Sequence, residues 1–168
     1  MASGDRTVTW SASSNLTVTN LHSLATSSTH VNGWESAEID GTGYSVCFVT
    51  AKIVVAAAGL SAGEIRLWVV PRLDDSNYPG GFDGTESTET APLDDEGGTA
   101  GGAILLKGVT TDTTASQTYY FHPVNVTRAF DGILPKTFVL FITHSTGANL
   151  AAAGNQVTIK LGIENIAP

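Results

Sequence analysis

Apolar residues recur at every second position through most of this chain. From Tyr44 to Ala56, Cys47, Val49, Ala51, Ile53 and Val55 share one apolar face, and Tyr44, Val46, Phe48, Thr50 and Lys52 share a mixed one. From Glu64 to Val70, Ile65, Leu67 and Val69 point inward, and Glu64, Arg66 and Trp68 point outward. The last segment, Gln156 to Ile163, is the cleanest: Val157, Ile159, Leu161 and Ile163 face one way, with Thr158, Lys160 and Glu164 opposite. Ala103 to Thr110, Thr118 to Val126 and Thr137 to His144 complete six strongly patterned strands. Gly59, Ser61 and Gly63 mark a turn, and Pro71 ends the second strand because it has no N–H for a ladder. No segment keeps a helical period over three turns. Strands separated by turn signals predict an all-β fold, an antiparallel β-sandwich of jelly-roll type.

Two regions depart from this pattern. Residues 1–30 are rich in Ser, Thr and Asn and carry few apolar positions, among them Trp10, Leu16 and Val18. They read as an N-terminal arm or an edge-strand segment, with residues 31–168 forming the sandwich. The second region runs roughly from 74 to 102. Asp74, Asp75, Asp83, Glu86, Glu89, Asp94, Asp95 and Glu96 lie there, and no Lys or Arg occurs from Leu73 to Leu106. Unpaired carboxylates are too costly to bury, so the stretch reads as a long acidic loop insertion on the surface.

The chain has 168 residues, enough for one domain with its own core. Only 14% of residues are charged, against about a quarter in average domains, so Ser, Thr, Asn and Gly must supply the polar surface. A net charge of −8 with scattered Lys and Arg argues against nucleic acid and against an anionic membrane. The start, MASGDRTVTW, lacks a basic-then-apolar signal, and the longest apolar run, Ile53 to Leu60, is too short to cross a bilayer. The expectation is a soluble protein made in a cytoplasm. A single cysteine, Cys47, allows no intrachain disulfide and reads as a buried thiol.

Candidate chemistry is sparse. His22, His30, His122 and His144 make no helical metal spacing, although His122 and His144 end strand patterns that could meet. Asp74, Asp75 and Asp83-Gly84 resemble a calcium loop without the alternating ligand order of an EF-hand, and Asp94-Asp95-Glu96 is a weaker candidate. No G-x-S-x-G elbow and no phosphate-binding or dinucleotide fingerprint occurs. The reading is therefore of a chain that binds or builds, not an enzyme, with no metal or cofactor. Exposed aromatics supply interface anchors. The candidate contact residues are Trp10, Leu16, Val18, Trp34, Arg66, Trp68 and Tyr78, with Trp68 on an outward strand face; the competing reading packs Trp68 beneath the insertion or the N-terminal segment.

Several segments carry a likeness. They are Asn32-Gly33-Trp34-Glu35-Ser36-Ala37-Glu38-Ile39-Asp40, the strand Val46 to Val55, and Ser76-Asn77-Tyr78-Pro79-Gly80-Gly81. Toward the end come Phe130-Asp131-Gly132-Ile133-Leu134-Pro135-Lys136-Thr137-Phe138 and Ser145-Thr146-Gly147-Ala148-Asn149-Leu150. From about Val31 onward the chain resembles small structural proteins of tailed bacteriophages, some similar to jelly-roll head decoration, or cement, proteins. The resemblance implies a virion protein on the capsid surface, bound to the major capsid protein, itself a homo-oligomer, often a trimer. It carries no active site. On this reading residues 1–30 anchor the protein to the shell or to a neighbouring protomer. The alternative is a tail- or fibre-associated receptor- or glycan-binding module, and a small carbohydrate-active or calcium-dependent enzyme is a third possibility.

Overall fold

A computed structural model describes residues 6–91 and 102–166. Its strands are β1 (Arg6–Trp10), β2 (Ser14–Asn15), β3 (Asn32–Glu35), β4 (Ile39–Asp40), β5 (Val46–Val54), β6 (Gly63–Pro71), β7 (Ser87–Thr90), β8 (Ile104–Thr111), β9 (Thr118–Asn125), β10 (Thr137–His144) and β11 (Gln156–Ile166). Among the described residues there is no α-helix, only a 3-10 turn over Val126–Phe130.

The strands form two antiparallel sheets. The front sheet runs β1, β11, β5, β9, with β2 continuing the β1 edge of β11. The back sheet runs β7, β3, β10, β6, β8, with β4 continuing the β3 edge of β10. Taking β1 with β2 and β3 with β4 as interrupted single strands, and setting β7 aside, eight strands remain. Their order is first, eighth, third, sixth in front and second, seventh, fourth, fifth behind. That winding is the jelly roll, in which most connections cross between the sheets.

Period-two patterning builds the core. Cys47, Val49, Ala51 and Ile53 of β5 are buried, as are Val157 and Ile159 of β11. They meet Ile65, Leu67 and Val69 of β6 and Phe138, Leu140 and Ile142 of β10 across the sandwich. Residues 6–30 are built into this same body. β1 and β2 pair with β11, Leu21 and Leu24 are buried in the core, and Leu16 and Val18 are half-buried against it. Trp34, from β3, is buried in the core as well.

The insertion differs from a solvated loop. Residues 72–91 fold back over the outer face of the back sheet, and β7 adds an edge strand beside β3. Tyr78, Phe82 and Ala91 bury a second apolar cluster with Trp68, Val70, Val139, Phe141 and Ala103. Phe82 meets Phe141 edge-on, with ring centroids 5.0 Å apart. This cover explains β10, which is buried on both faces and reads in sequence as one unbroken apolar run, Phe138 to Ile142. Asp94, Asp95 and Glu96 lie outside the described residues.

Candidate functional site

The cover fixes where the sequence-derived contact residues lie. Trp68 does sit on the outward face of its strand, but the insertion buries it. Its Nε1 donates to Thr143 Oγ1 at 3.2 Å, and that oxygen lies 2.9 Å from His30 Nδ1. Arg66 is half-buried, paired with Glu64 at 2.7 Å, its guanidinium 5.9 Å from the Trp68 ring centroid. Tyr78 is buried and donates its hydroxyl to Glu38 Oε2 at 2.9 Å, while Arg72 stacks on its ring. Trp34 is buried and its Nε1 donates to Glu86 Oε1 at 2.7 Å. Trp34, Trp68 and Tyr78 therefore pack inside this chain and offer no outer contact surface. Of the seven, Trp10 is the large aromatic left open, at 39% exposure.

Three carboxylates hold the insertion down. Glu86 accepts from Trp34 and also from the Asn20 backbone N–H and side-chain amide, tying the insertion to the N-terminal segment. Glu38 accepts from Tyr78 and pairs with Arg72 at 3.1 Å. Glu35, fully buried on the outer face of β3, accepts the Gly84 and Asp83 N–H groups at 2.7 and 3.2 Å. Its Oε2 has no partner. Burial pushes its carboxyl up to about 7, and the two amides pull it back only in part.

The histidine and calcium candidates take other roles. His144 is buried at the end of β10, its Nδ1 3.0 Å from Thr146 Oγ1 and its Nε2 3.0 Å from the Leu24 carbonyl oxygen. Desolvation lowers its pKa. His122 is exposed on β9, in the other sheet. His30 is held near 4, chiefly by burial and then by Arg66. Asp74 accepts from the Ser76 and Asn77 N–H groups and from the Asn77 amide, so its oxygens serve its own turn. Arg72 and Lys136 line the same depression, and Asp75 lies 3.5 Å from Lys136 Nζ. Among the described residues no three His, Cys, Asp or Glu side chains gather as metal ligands. Burial pushes the Cys47 thiol up to about 12, so it carries no thiolate.

Among the described residues, none covers the front sheet in this way. Its outer face carries Trp10 of β1, Asn15 of β2, Thr158 and Lys160 of β11, Phe48, Thr50 and Lys52 of β5, and Tyr120 of β9. Trp10 and Phe48 meet at 5.4 Å, and Lys160 Nζ lies 5.5 Å from the Trp10 centroid. Three shallow depressions, sharing Thr50, Thr158, Tyr120 and Pro123 among them, run across this face. The last, about 680 Å³, opens at the side of the sandwich where the β8 and β9 edges approach each other. Lys52, Lys160, Lys107, Arg128 and His122 line the three, and among the described residues no Asp or Glu does.

Alternation along β5 and β11 placed Phe48, Thr50, Lys52, Thr158 and Lys160 outward from sequence. What it lacked was the strand order that brings them beside Trp10 and Tyr120. Compared with protein-family models and with curated proteins, the chain matches none.

Proposed function

We propose that this chain is a structural, non-enzymatic virion protein that decorates the assembled phage head, joining the major capsid protein through the open side of its sandwich. The capsid partner, and a homotrimeric state, rest on the likeness in Asn32–Asp40, Ser76–Gly81, Phe130–Phe138 and Ser145–Leu150. The observation that carries the point of attachment is the edge of β8.

Each sheet ends in strands with unpaired backbone groups, and such edges recruit further strands unless they are guarded. β7 is four residues long and carries Glu89. β9 contains Pro123, which has no N–H to offer a further strand. β8 is eight residues long and, among the described residues, pairs only with β6. Its one charged side chain is Lys107. Leu105 is 43% exposed, and Ile104 and Leu106 line the adjoining 680 Å³ depression, where Asn125 Oδ1 also lacks a partner. A strand added to β8 gains backbone hydrogen bonds along its length and apolar contact for alternate side chains. Residues 6–30 already serve this chain's own sheet and core, so the edge takes the anchoring role that sequence assigned to them.

The test is co-sedimentation with undecorated heads. Leu105→Lys puts a charge on the joining edge while leaving an exposed position exposed, so melting stays near wild type and binding falls. Undiminished binding by the folded variant would sink the attachment through β8. Copy number separates shell from tail: copies in proportion to capsid protein support the head, and a few per particle overturn it.

A further inference from the structure

The geometry points to a second site, on the outer face of the front sheet, that takes an acidic oligosaccharide, one bearing uronate carboxylates. It is separate from the β8 edge and does not depend on the decoration role.

The site begins with a glycine. Gly162 of β11 pairs with Trp10 on one side and Val46 on the other. A Cβ at Gly162 would lie 2.8 Å from Trp10 Cε3, so the missing side chain is what allows the indole to settle onto the strand. The ring stays part-exposed, which is the arrangement that sugar stacking uses. Trp34 and Trp68 are both buried, so Trp10 is the exposed tryptophan of the three.

Next to the ring lies a fixed row of polar groups. Asn15 Oδ1 accepts from Gln156 Nε2 at 2.9 Å and from Thr158 Oγ1 at 2.8 Å. These two bonds orient the Asn15 amide so that its N–H₂ is free to donate outward, and the Gln156 carbonyl remains as an acceptor. Amides and hydroxyls beside an aromatic plate suit a ligand made of ring faces and hydroxyls. The two depressions here, of about 260 and 320 Å³, are shallow and share Thr50 and Thr158. From β1 to β9 the face spans roughly 14 Å at ordinary strand spacing, room for several sugars.

Charge decides which saccharide. Lys160 stands beside Trp10, and Lys52 lies further along the same depressions. Neither forms an ion pair with a described residue. Both stand in a protein of net charge −8 whose described acids Glu35, Glu38, Asp83, Glu86 and Glu89 lie about the insertion on the other sheet, while Glu164 of β11 lies past Gly162, at the β1 end of this face. Two separated ammonium groups with no carboxylate between them complement a ligand with a negative charge every few ångströms. A nucleic acid would want a basic stripe and several phosphate contacts, which two lysines do not supply.

The experiment uses the full chain and follows tryptophan fluorescence, with Trp10→Ala as the blank for the buried Trp34 and Trp68, during titration with oligogalacturonate, with a neutral oligosaccharide of equal length and a short single-stranded DNA as parallel probes. Oligogalacturonate should perturb the emission saturably, and the effect should weaken with salt. Trp10→Ala and Lys160→Gln should each lower affinity, measured by calorimetry, about tenfold or more while the melting temperature shifts by no more than about 4 °C, and Gly162→Ala should lower affinity by lifting the ring. No saturable binding of oligogalacturonate, equal affinity in Trp10→Ala, or tighter binding of the DNA would each overturn the assignment. Binding that persists in Leu105→Lys supports it and keeps it distinct from attachment at β8.

Discussion

The outer faces of the two sheets start from the same local chemistry and end differently. Each presents aromatic and β-branched residues alternating with polar ones. On the back sheet, Trp68, Val70, Val139 and Phe141 are roofed by Tyr78, Phe82 and Ala91 from the insertion. On the front sheet, no described residue roofs Trp10, Phe48 and Tyr120, and their neighbours are lysines, threonines and amides. The difference lies in what the chain supplies to cover each face. A sheet face that its own chain seals becomes core, and one left open is available for a partner.

Truncation should separate the two faces most sharply. Phe141→Ala removes a buried ring from the roofed face and its edge-on contact with Phe82, and should cost about 3–5 kcal/mol in urea unfolding. Trp10→Ala, on the open face, should cost under about 1 kcal/mol in the same assay. Equal losses would show that the open face is also covered in solution.

The next effect is pH-dependent and belongs to the roofed face. The folded Glu35 carboxyl keeps its proton to about 7, whereas an ordinary glutamate loses it near 4.5. Between those values the folded state binds more protons than the unfolded one, so this contribution to stability falls as pH rises from about 4.5 to 7, by up to about 3 kcal/mol. His30 works in the opposite direction. The folded imidazole stays neutral to about 4 while the unfolded one protonates below 6.5, so its contribution is lost as pH falls from 6.5 to 4. In wild type the two slopes offset between about 4.5 and 6.5. Glu35→Gln keeps an oxygen for the Gly84 and Asp83 amides and removes the acid. Its melting temperature should climb with pH up to 6.5 and then level, exceeding wild type at pH 8. A variant that follows the wild-type profile would show that Glu35 is not the group that titrates.

Much of the body was legible along the chain. β5 buries alternate residues from Cys47 to Ile53 as its pattern requires, and the six strongly patterned strands all form. The outward orientation of Trp68 was legible too, but its burial was not. Whether an outward residue meets water depends on a segment far along the chain, and the acidity of that segment masked the few apolar residues that do the covering. Glu35 gave no local sign: a carboxylate in Asn32-Gly33-Trp34-Glu35 looks like any strand-face acid until the Gly84 turn closes over it. Trp10 was singled out, while Phe48 and Lys160 were assigned only to outer strand faces, because nothing in sequence sets β1 beside β11 and β11 beside β5.

By itself the sequence determined the six strongly patterned strands and their inward faces, because side-chain alternation is a property of neighbouring residues. The tertiary structure alone decided the jelly-roll order, the roof over the back sheet, and the union of Trp10, Asn15, Phe48 and Lys160 on one open face. Those depend on pairing between strands distant in the chain, where register and crossover, not local pattern, choose the neighbours.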